Sequence, residues 1–552
     1  ALALPWIFIF AAKTKSQMIS GAVFTGLGIA GCFYIALNES SLSDQYGFLI
    51  GWDQSLIACT LVAVTLEMAR RTVGWPLPII TLLFIMYGIW GDHIPGEFGH
   101  AGIPINSFFG TLVITEGGLW GKLTGVSVSI VSIFVIFGAF LNAGEAGQGF
   151  MNIAVAAAGR LKGGAAKVSV ISSALFGSIS GSASANVAST GMVTLPTMLR
   201  LGYPKKVAAA VEAVASTGGQ IMPPLMGAGA FVMVELTGIP YNQIIVAALI
   251  PAILYFATIW IGVNRYAEIY DLKPYDQTML PSAALVVKTS LFFFIPFTVL
   301  LFIMYIGYTP QFAAAVAISS AALLLLIDVE LRPDLKRTLH RLCETALFSG
   351  RQIATIAAII LCASLIVGVL GLTGLGIKVT STILTLSGEN FWLALLLTAL
   401  ACILLGMEVP TTAAYVICVS VAGPALIDLG LKPLLVHLFV FWFALLSTIT
   451  PPVCGGVFIA ASMVEENWLK VAWSAIALGL GLYIVPLAMI KHPQLIEISS
   501  FPVLSVLTAV QIGVGLILLS RGIISSTKWS KKLMLVFTGL FVTFTSNPLL
   551  GL

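Results

Sequence analysis

The sequence predicts an all-α integral membrane protein with inverted repeats and two re-entrant helical hairpins. Three observations carry that prediction: an apolar composition, basic residues confined to alternate loops, and two unlike polar motifs that recur in the same order along the chain. Of 552 residues, 59% are hydrophobic and only 9% are charged, and the mean hydropathy is +1.03. A water-soluble domain of this length would need far more charge to keep its surface wet. Runs approaching the roughly 17–25 apolar residues needed to cross about 30 Å of hydrocarbon recur from end to end.

The elements follow in order. Residues 1–117 read as a first group of scaffold helices and an external loop. Their clearest spans are Gly21–Leu37 and Ile79–Trp90. The apolar run at residues 2–10 is too short to span and lacks the charged start and cleavage site of a signal peptide. The start of that helix is expected to lie upstream of Ala1. The loop carries Asp92, His93, Glu97 and His100, and residues 96–122 are polar enough for an external or interfacial connection. A large helical block, 118–490, follows, with span cores at 126–140, 244–261, 291–304, 313–327, 353–370 and 471–490. Residues 491–552 hold two extra C-terminal helices around the basic loop 521–532.

Charge placement sets the orientation. Basic clusters fall in alternate loops, among them Arg70 and Arg71, Arg160 and Lys162, Lys205 and Lys206, and Arg337 and Arg341. With those loops in the cytoplasm, only Lys122, Lys378, Lys432 and Lys491 of 27 lysines and arginines lie on the other side, as the positive-inside bias requires. Alternating short clusters do not make the contiguous basic face that nucleic acid needs. The seven cysteines are scattered without a CxxC pair, and the five histidines are dispersed, so disulfides and a structural zinc site are not expected. An intramembrane enzyme would need a nucleophile–base pair or a metal cluster, and no GxSxG, HExxH or glycine-rich nucleotide loop is present. A channel would need no inverted pair of hairpins.

The large block repeats itself. GSISGSASAN (177–186) precedes QIMPPLMG (220–227), and GMEVPTTAAY (406–415) precedes TITPPVCG (448–455). Pro223 and Pro451 are 228 residues apart, and Gly181 and Pro410 are 229 apart. Two unlike motifs at nearly one offset argue for duplication, with repeats about 123–265 and 352–490 joined by scaffold helices 288–328. The first polar motif lies between inner basic loops, whereas the second lies between outer charges, so the repeats are inverted. Inverted repeats with helices broken at matching places are a signature of secondary transporters.

Each broken segment has chemistry to offer. Residues 168–200 are long enough for two half-helices, and Ser178, Ser180, Gly181, Ser182, Ser184 and Asn186 crowd the middle. Serine and asparagine cap a returning helix, whose free N–H groups favour a carboxylate. Ser182, Asn186 and Ser189 fall on one helical face and can project toward a ligand. The competing reading is a small-residue packing seam, since Gly177 and Gly181 form GxxxG; the repeated partner motif favours the ligand. There Pro410 breaks a helix that Thr411 and Thr412 can cap. The double prolines Pro223–Pro224 and Pro451–Pro452 free carbonyls from the helical ladder, and carbonyls and hydroxyls are the hard ligands that sodium wants. The plain alternative for an isolated proline pair is a structural kink. Glu212 shares a helical face with Ser216 and Gln220, and with Glu408 it is a candidate proton carrier, since an intramembrane carboxylate is costly. Glu145 and Glu235 are further acids near membrane depth.

SGSASANVASTG (180–191) followed by AAAVEAVASTGGQIMPPLMGAGAF (208–231) resembles the large membrane subunit of TRAP (tripartite ATP-independent periplasmic) transporters. RRTVGWPLPI (70–79) resembles the variant with fused small and large membrane subunits, usually paired with TAXI-type binding proteins. The resemblance implies an elevator-type fold in the bacterial inner membrane, with hairpins near 168–200 and 391–427 and a static scaffold. It implies a periplasmic substrate-binding protein of TAXI type as partner, and a carboxylate cargo such as a dicarboxylate, keto acid, sialic acid or amino acid. It implies symport with sodium as the usual coupling ion. Carried over, Ser182, Ser184, Asn186, Ser189, Thr411 and Thr412 become substrate contacts. Ser180, Gly218, Gly219, Pro223, Gly406, Thr448, Thr450 and Pro451 become sodium-site walls. Glu408 beside the second hairpin tip keeps proton coupling open.

Overall fold

The computed structural model describes residues 1–12, 14–223, 226–276, 279–330, 332–388, 390–407, 409–525 and 528–546. Among them every regular element is helical, and eight helices are long and apolar enough to cross a membrane. They include Lys15–Leu37, Lys122–Ala143, Tyr241–Ile269, Ala283–Tyr305, Leu335–Thr373 and Pro502–Ile523, which agrees with the all-α membrane class read from composition.

The chain divides into two compact units, residues 1–139 with 343–431 and residues 140–342 with 432–552. The division does not follow the sequence ranges 1–117, 118–490 and 491–552. It assigns the hairpin of the first repeat to the second unit and that of the second repeat to the first.

The first unit is organised by the helices Gly51–Val73 and Pro76–Trp90. Gly74, at φ +85°, ends the former, and Pro76 opens the latter with a φ already suited to a helix start. Leu61, Phe108, Leu112, Leu365 and Val369 form the core around them. In lipid, burying such side chains gains little hydrophobic energy, and close packing has to hold the helices instead. Arg70 and Arg71 are pinned to Glu67, Arg70 at 2.6 Å and Arg71 at 2.8 Å. Arg71 also donates to Ser20 Oγ at 2.9 Å and to Gln17 O at 3.2 Å. The second hairpin runs Phe391–Leu405 and Thr411–Asp428. Asn390 caps its first arm, accepting from Leu393 N at 3.1 Å.

The second unit contains the first hairpin, both double-proline segments and the C-terminal helices. Its hairpin arms are Gly164–Ser180 and Ala183–Arg200; at 1.5 Å per residue each is about 26 Å long, a little short of the hydrocarbon core. Helix Lys205–Gly218 breaks and restarts as Gly227–Thr237. Helix Pro433–Leu446 breaks and restarts as Gly455–Met463. Both breaks fall where the double prolines predict. The C-terminal helices Pro502–Ile523 and Trp529–Phe544 pack on each other, and the former packs on Tyr241–Ile269. His492 Nε2 donates to Thr543 O at 3.0 Å, and Gln511 Nε2 donates to Val542 O at 2.9 Å. These bonds satisfy carbonyls in the last turn of the helix Trp529–Phe544, which would otherwise be costly at membrane depth.

Candidate functional site

The two broken helices of the second unit lie side by side and pair crosswise. Lys205–Gly218 packs on Gly455–Met463, whereas Gly227–Thr237 packs on Pro433–Leu446. First half against second half is the pairing of antiparallel helices, which is what inverted repeats produce. The breaks therefore meet. Thr217 and Thr448 touch there, their hydroxyl oxygens 3.1 Å apart. Each also has a carbonyl behind it, Ala213 O at 2.8 Å and Leu445 O at 2.7 Å. Thr450 Oγ1 lies 2.7 Å from the Tyr483 hydroxyl. Pro223 is buried, and the Pro451–Pro452 bond is cis. Pro224 and Glu408 lie outside the described residues.

The first hairpin closes over one of these breaks. Gly181 ends the inbound arm at φ +62°, and Gly227 leaves the break at φ +62°. A Cβ on either would meet the other's Cα at 2.6 Å, so both the left-handed backbone and the close approach require glycine. Gln220 Nε2 donates to Gly181 O at 2.7 Å, tying the tip to the break. Ser182 caps the return arm, accepting from Ala185 N at 3.3 Å.

Asn186 lies deeper. It is 1% exposed, and its Nδ2 donates to Ser173 O at 2.9 Å and Ser216 O at 3.3 Å. One amide thus joins both hairpin arms to the broken helix, over the point where the Gly177 and Gly219 backbones meet. Its Oδ1 is buried and has no hydrogen-bond partner among the described residues. The helical stripe on this arm is Asn186, Thr190 and Thr194, all buried, whereas Ser184 and Ser189 are exposed and Ser182 is half-buried. Ser189 Oγ donates back to Ala185 O at 2.9 Å. Ser182, Asn186 and Ser189 are therefore not presented together.

Glu212 is fully buried under that stripe. Ser169 Oγ donates to its Oε2 at 2.8 Å, and Ser216 Oγ and Ser173 Oγ approach Oε1 at 3.3 and 3.5 Å. The Thr190 and Thr194 hydroxyls make shorter contacts to Oε1 and Oε2. Among the described residues every group bonded to this carboxyl is a neutral hydroxyl, so a charged Glu212 would sit there without a counter-ion. Sequence reasoning found Glu212 and Ser216 but missed Ser169, Ser173, Thr190 and Thr194. The signal was present as three i, i+4 pairs on three helices: Ser169/Ser173, Thr190/Thr194 and Glu212/Ser216. Glu145 instead pairs with Arg341 at 2.6 Å, and Glu235 is half-buried.

The remaining expected residues divide by unit. Gly218 and Gly219 are buried at the first break, and the ring of Tyr255 fills the space a Gly218 side chain would need. Ser180 is exposed at the end of the inbound arm. Gly406, buried, and Thr411 and Thr412, half-buried, border the tip of the second hairpin in the first unit. The orphaned Asn186 Oδ1 near the first break, and the Thr217 and Thr448 hydroxyls where the two breaks meet, are oxygen donors of the kind a hard cation takes. Among the described residues no group of His, Cys, Asp and Glu is arranged to hold a metal ion.

Paired antiparallel broken helices with a hairpin tip on one break define a membrane transport protein. Residues 60–504 match the family model "Tripartite ATP-independent periplasmic transporter, DctM component", and the chain belongs to that family. It is 25% identical over 335 residues to the C4-dicarboxylate TRAP transporter large permease protein DctM of Pseudomonas aeruginosa, covering 60% of this chain and 76% of that one. It is 30% identical over 171 residues to the isethionate TRAP transporter permease protein DctMQ of Oleidesulfovibrio alaskensis, covering 31% of this chain and 27% of that one. It is 28% identical over 200 residues to the ectoine/5-hydroxyectoine TRAP transporter large permease protein UehC of Ruegeria pomeroyi, covering 36% and 44% of the two. Large permeases of this family are multi-pass membrane proteins that work with a periplasmic substrate-binding protein.

Proposed function

We propose that this chain imports an organic acid, handed over by a periplasmic binding protein of TAXI type, by sodium symport in the bacterial inner membrane. The relatives named for C4-dicarboxylates, isethionate and ectoine support a small organic acid as cargo. The observation that carries the ion reading is the meeting of the two breaks at Thr217 and Thr448. Each hydroxyl has one proton. If both go back to Ala213 O and Leu445 O, the two oxygens turn lone pairs toward the same point, as cation ligands do. Asn186 Oδ1, buried without a donor, is the third oxygen of this proposed site. Ser180, Gly218, Gly219, Pro223, Thr450 and Pro451 remain its proposed walls, and Gly406 remains a proposed ion-site residue of the second hairpin.

Ser182, Ser184 and Ser189 are the proposed substrate contacts of the first hairpin, and Thr411 and Thr412 those of the second. Asn186, with both amide hydrogens engaged, acts through the cation and the hairpin geometry. Transport proceeds by an elevator movement. Residues 1–117 supply a fused small-subunit-like portion of scaffold helices and external loop.

The second reading is proton coupling, favoured by Glu212 and its five hydroxyls. A neutral Glu212 donates one proton to a threonine oxygen, and releasing it leaves an anion that only hydroxyls solvate. Uptake into proteoliposomes, with the binding protein present, separates the two readings. A sodium gradient at fixed pH drives accumulation under the first, and a pH step without sodium drives it under the second. No accumulation under either gradient contradicts active transport.

A further inference from the structure

We propose that the second unit carries a site for the headgroup of an anionic phospholipid, built jointly by the helix Tyr241–Ile269 and the C-terminal helix Pro502–Ile523. A cavity of about 260 Å³ lies between them, lined by Lys162, Asn264, Arg265, Glu268 and Arg521 with Ile261, Ala267 and Ile517. It is smaller than the roughly 300–1,000 Å³ of pockets for drug-sized ligands and suits a compact polar head. Three cations face one carboxylate across it.

The cations are incompletely used. Arg265 pairs with Glu268 through NH1, but its Nε is buried with no hydrogen-bond partner among the described residues. Arg521 is exposed and makes no ion pair among the described residues. Lys162 reaches Asp271 at 3.1 Å, an exposed pair worth little. Two guanidinium groups converging on one small cavity match the oxygens of a phosphodiester.

The order of residues along the helices selects a lipid over a free anion. By the positive-inside rule Arg265 and Arg521 both lie at the cytoplasmic end of their helices, so the helices run in parallel there. Ile261 and Ile517 each precede the arginine by four residues, about 6 Å toward the membrane middle. The cavity therefore has a cationic layer at the interface and an isoleucine layer beneath it, the profile of a headgroup with its chains. Tyr270, 40% exposed, and Trp529, 73% exposed, mark the interface at this level. Basic pockets between helices on the cytoplasmic side are suited to anionic headgroups. Arg521 lies beyond residues 60–504, so the site needs the extra C-terminal helices.

The test is lipid titration of the purified full chain by native mass spectrometry, using phosphatidylglycerol, phosphatidylethanolamine and inorganic phosphate as separate probes. Saturable binding of phosphatidylglycerol is expected, with phosphatidylethanolamine at least about tenfold weaker and no competition from millimolar inorganic phosphate. Arg521→Gln should weaken phosphatidylglycerol binding about tenfold, the loss of one charge-assisted contact, without changing the melting temperature in lipid-free detergent. If that substitution lowers the lipid-free melting temperature, Lys162→Gln carries the same expectation. Equal binding of the two lipids, unchanged binding in both variants, or phosphate competing as a free anion overturns the proposal.

Discussion

Thr217 and Thr448, 231 residues apart in the chain, place their hydroxyl oxygens within 3.1 Å of each other where two broken helices meet. Each comes from its own repeat and stands just before its double proline. The contact gives the repeat physical content, because the duplicated segments serve as two walls of one place. It also yields a test. Without a cation one of the two hydroxyls donates to the other, so Thr217→Val or Thr448→Val alone removes that bond, leaves the partner hydroxyl facing an apolar group and should cost about 1 kcal/mol of stability. The double substitution should cost less than the sum, because removing both partners together leaves nothing unsatisfied. Equilibrium unfolding in detergent measures the coupling, and strict additivity would mean that the contact carries no energy.

Glu212 separates a structural from a coupling role. Glu212→Gln keeps the shape of the carboxyl and two of its acceptor sites, so the protein should stay folded. Glu212→Ala removes the acceptor that five buried hydroxyls share and leaves a cavity among them, and should cost about 3 kcal/mol or more. Under sodium coupling, sodium-driven uptake by Glu212→Gln stays within about threefold of wild type. Loss of uptake in a variant with an unchanged melting temperature would move the coupling to this carboxyl.

Gly181 and Gly227 hold the hairpin tip against the break. Gly181→Ala requires an alanine at φ +62°, with its Cβ 2.6 Å from the Gly227 Cα. The left-handed backbone alone costs about 1–2 kcal/mol, and the contact forces the tip outward. Gly26→Ala is the control: it lies within the helix Lys15–Leu37 with nothing near its Cβ position, and should be neutral or stabilising by up to about 1 kcal/mol. Transport assays should find Gly181→Ala reduced at least about tenfold and Gly26→Ala unchanged. Equal effects would leave the tip contact without a role.

Thr411 tests the second hairpin. Thr411→Ala at the start of the Thr411–Asp428 helix should abolish uptake while the detergent-extracted protein keeps its fold. Wild-type transport by this variant would remove Thr411 from the site.

The helices and the positions of their breaks were legible because proline, glycine and charge act locally. The paired prolines at 223–224 and 451–452 remove two successive N–H donors and favour a break, whereas the single prolines Pro196, Pro251, Pro296, Pro424 and Pro486 lie within helices, and Gly181 admits a left-handed turn. Face assignment was less legible. Ser182, Asn186 and Ser189 share a stripe by spacing, yet the structure buries Asn186 with Thr190 and Thr194 and leaves Ser189 in the open. The buried side is set by Glu212, a carboxyl on another helix that gathers hydroxyls around itself, and periodicity within one helix cannot report a partner on the next. The i, i+4 hydroxyl pairs on three separate helices were the available clue. Asn186 likewise looked like a ligand group by type. Its two amide hydrogens proved to be spent on Ser173 O and Ser216 O, which leaves only its oxygen to act.

The most direct test of the account is radioactive sodium binding to the detergent-purified protein, wild type against Asn186→Ala, with potassium as competitor. The account predicts saturable, sodium-selective binding in the wild type, weakened at least about tenfold when the buried Oδ1 is removed. Sodium binding of equal strength in both proteins, or none in the folded wild type, would contradict it.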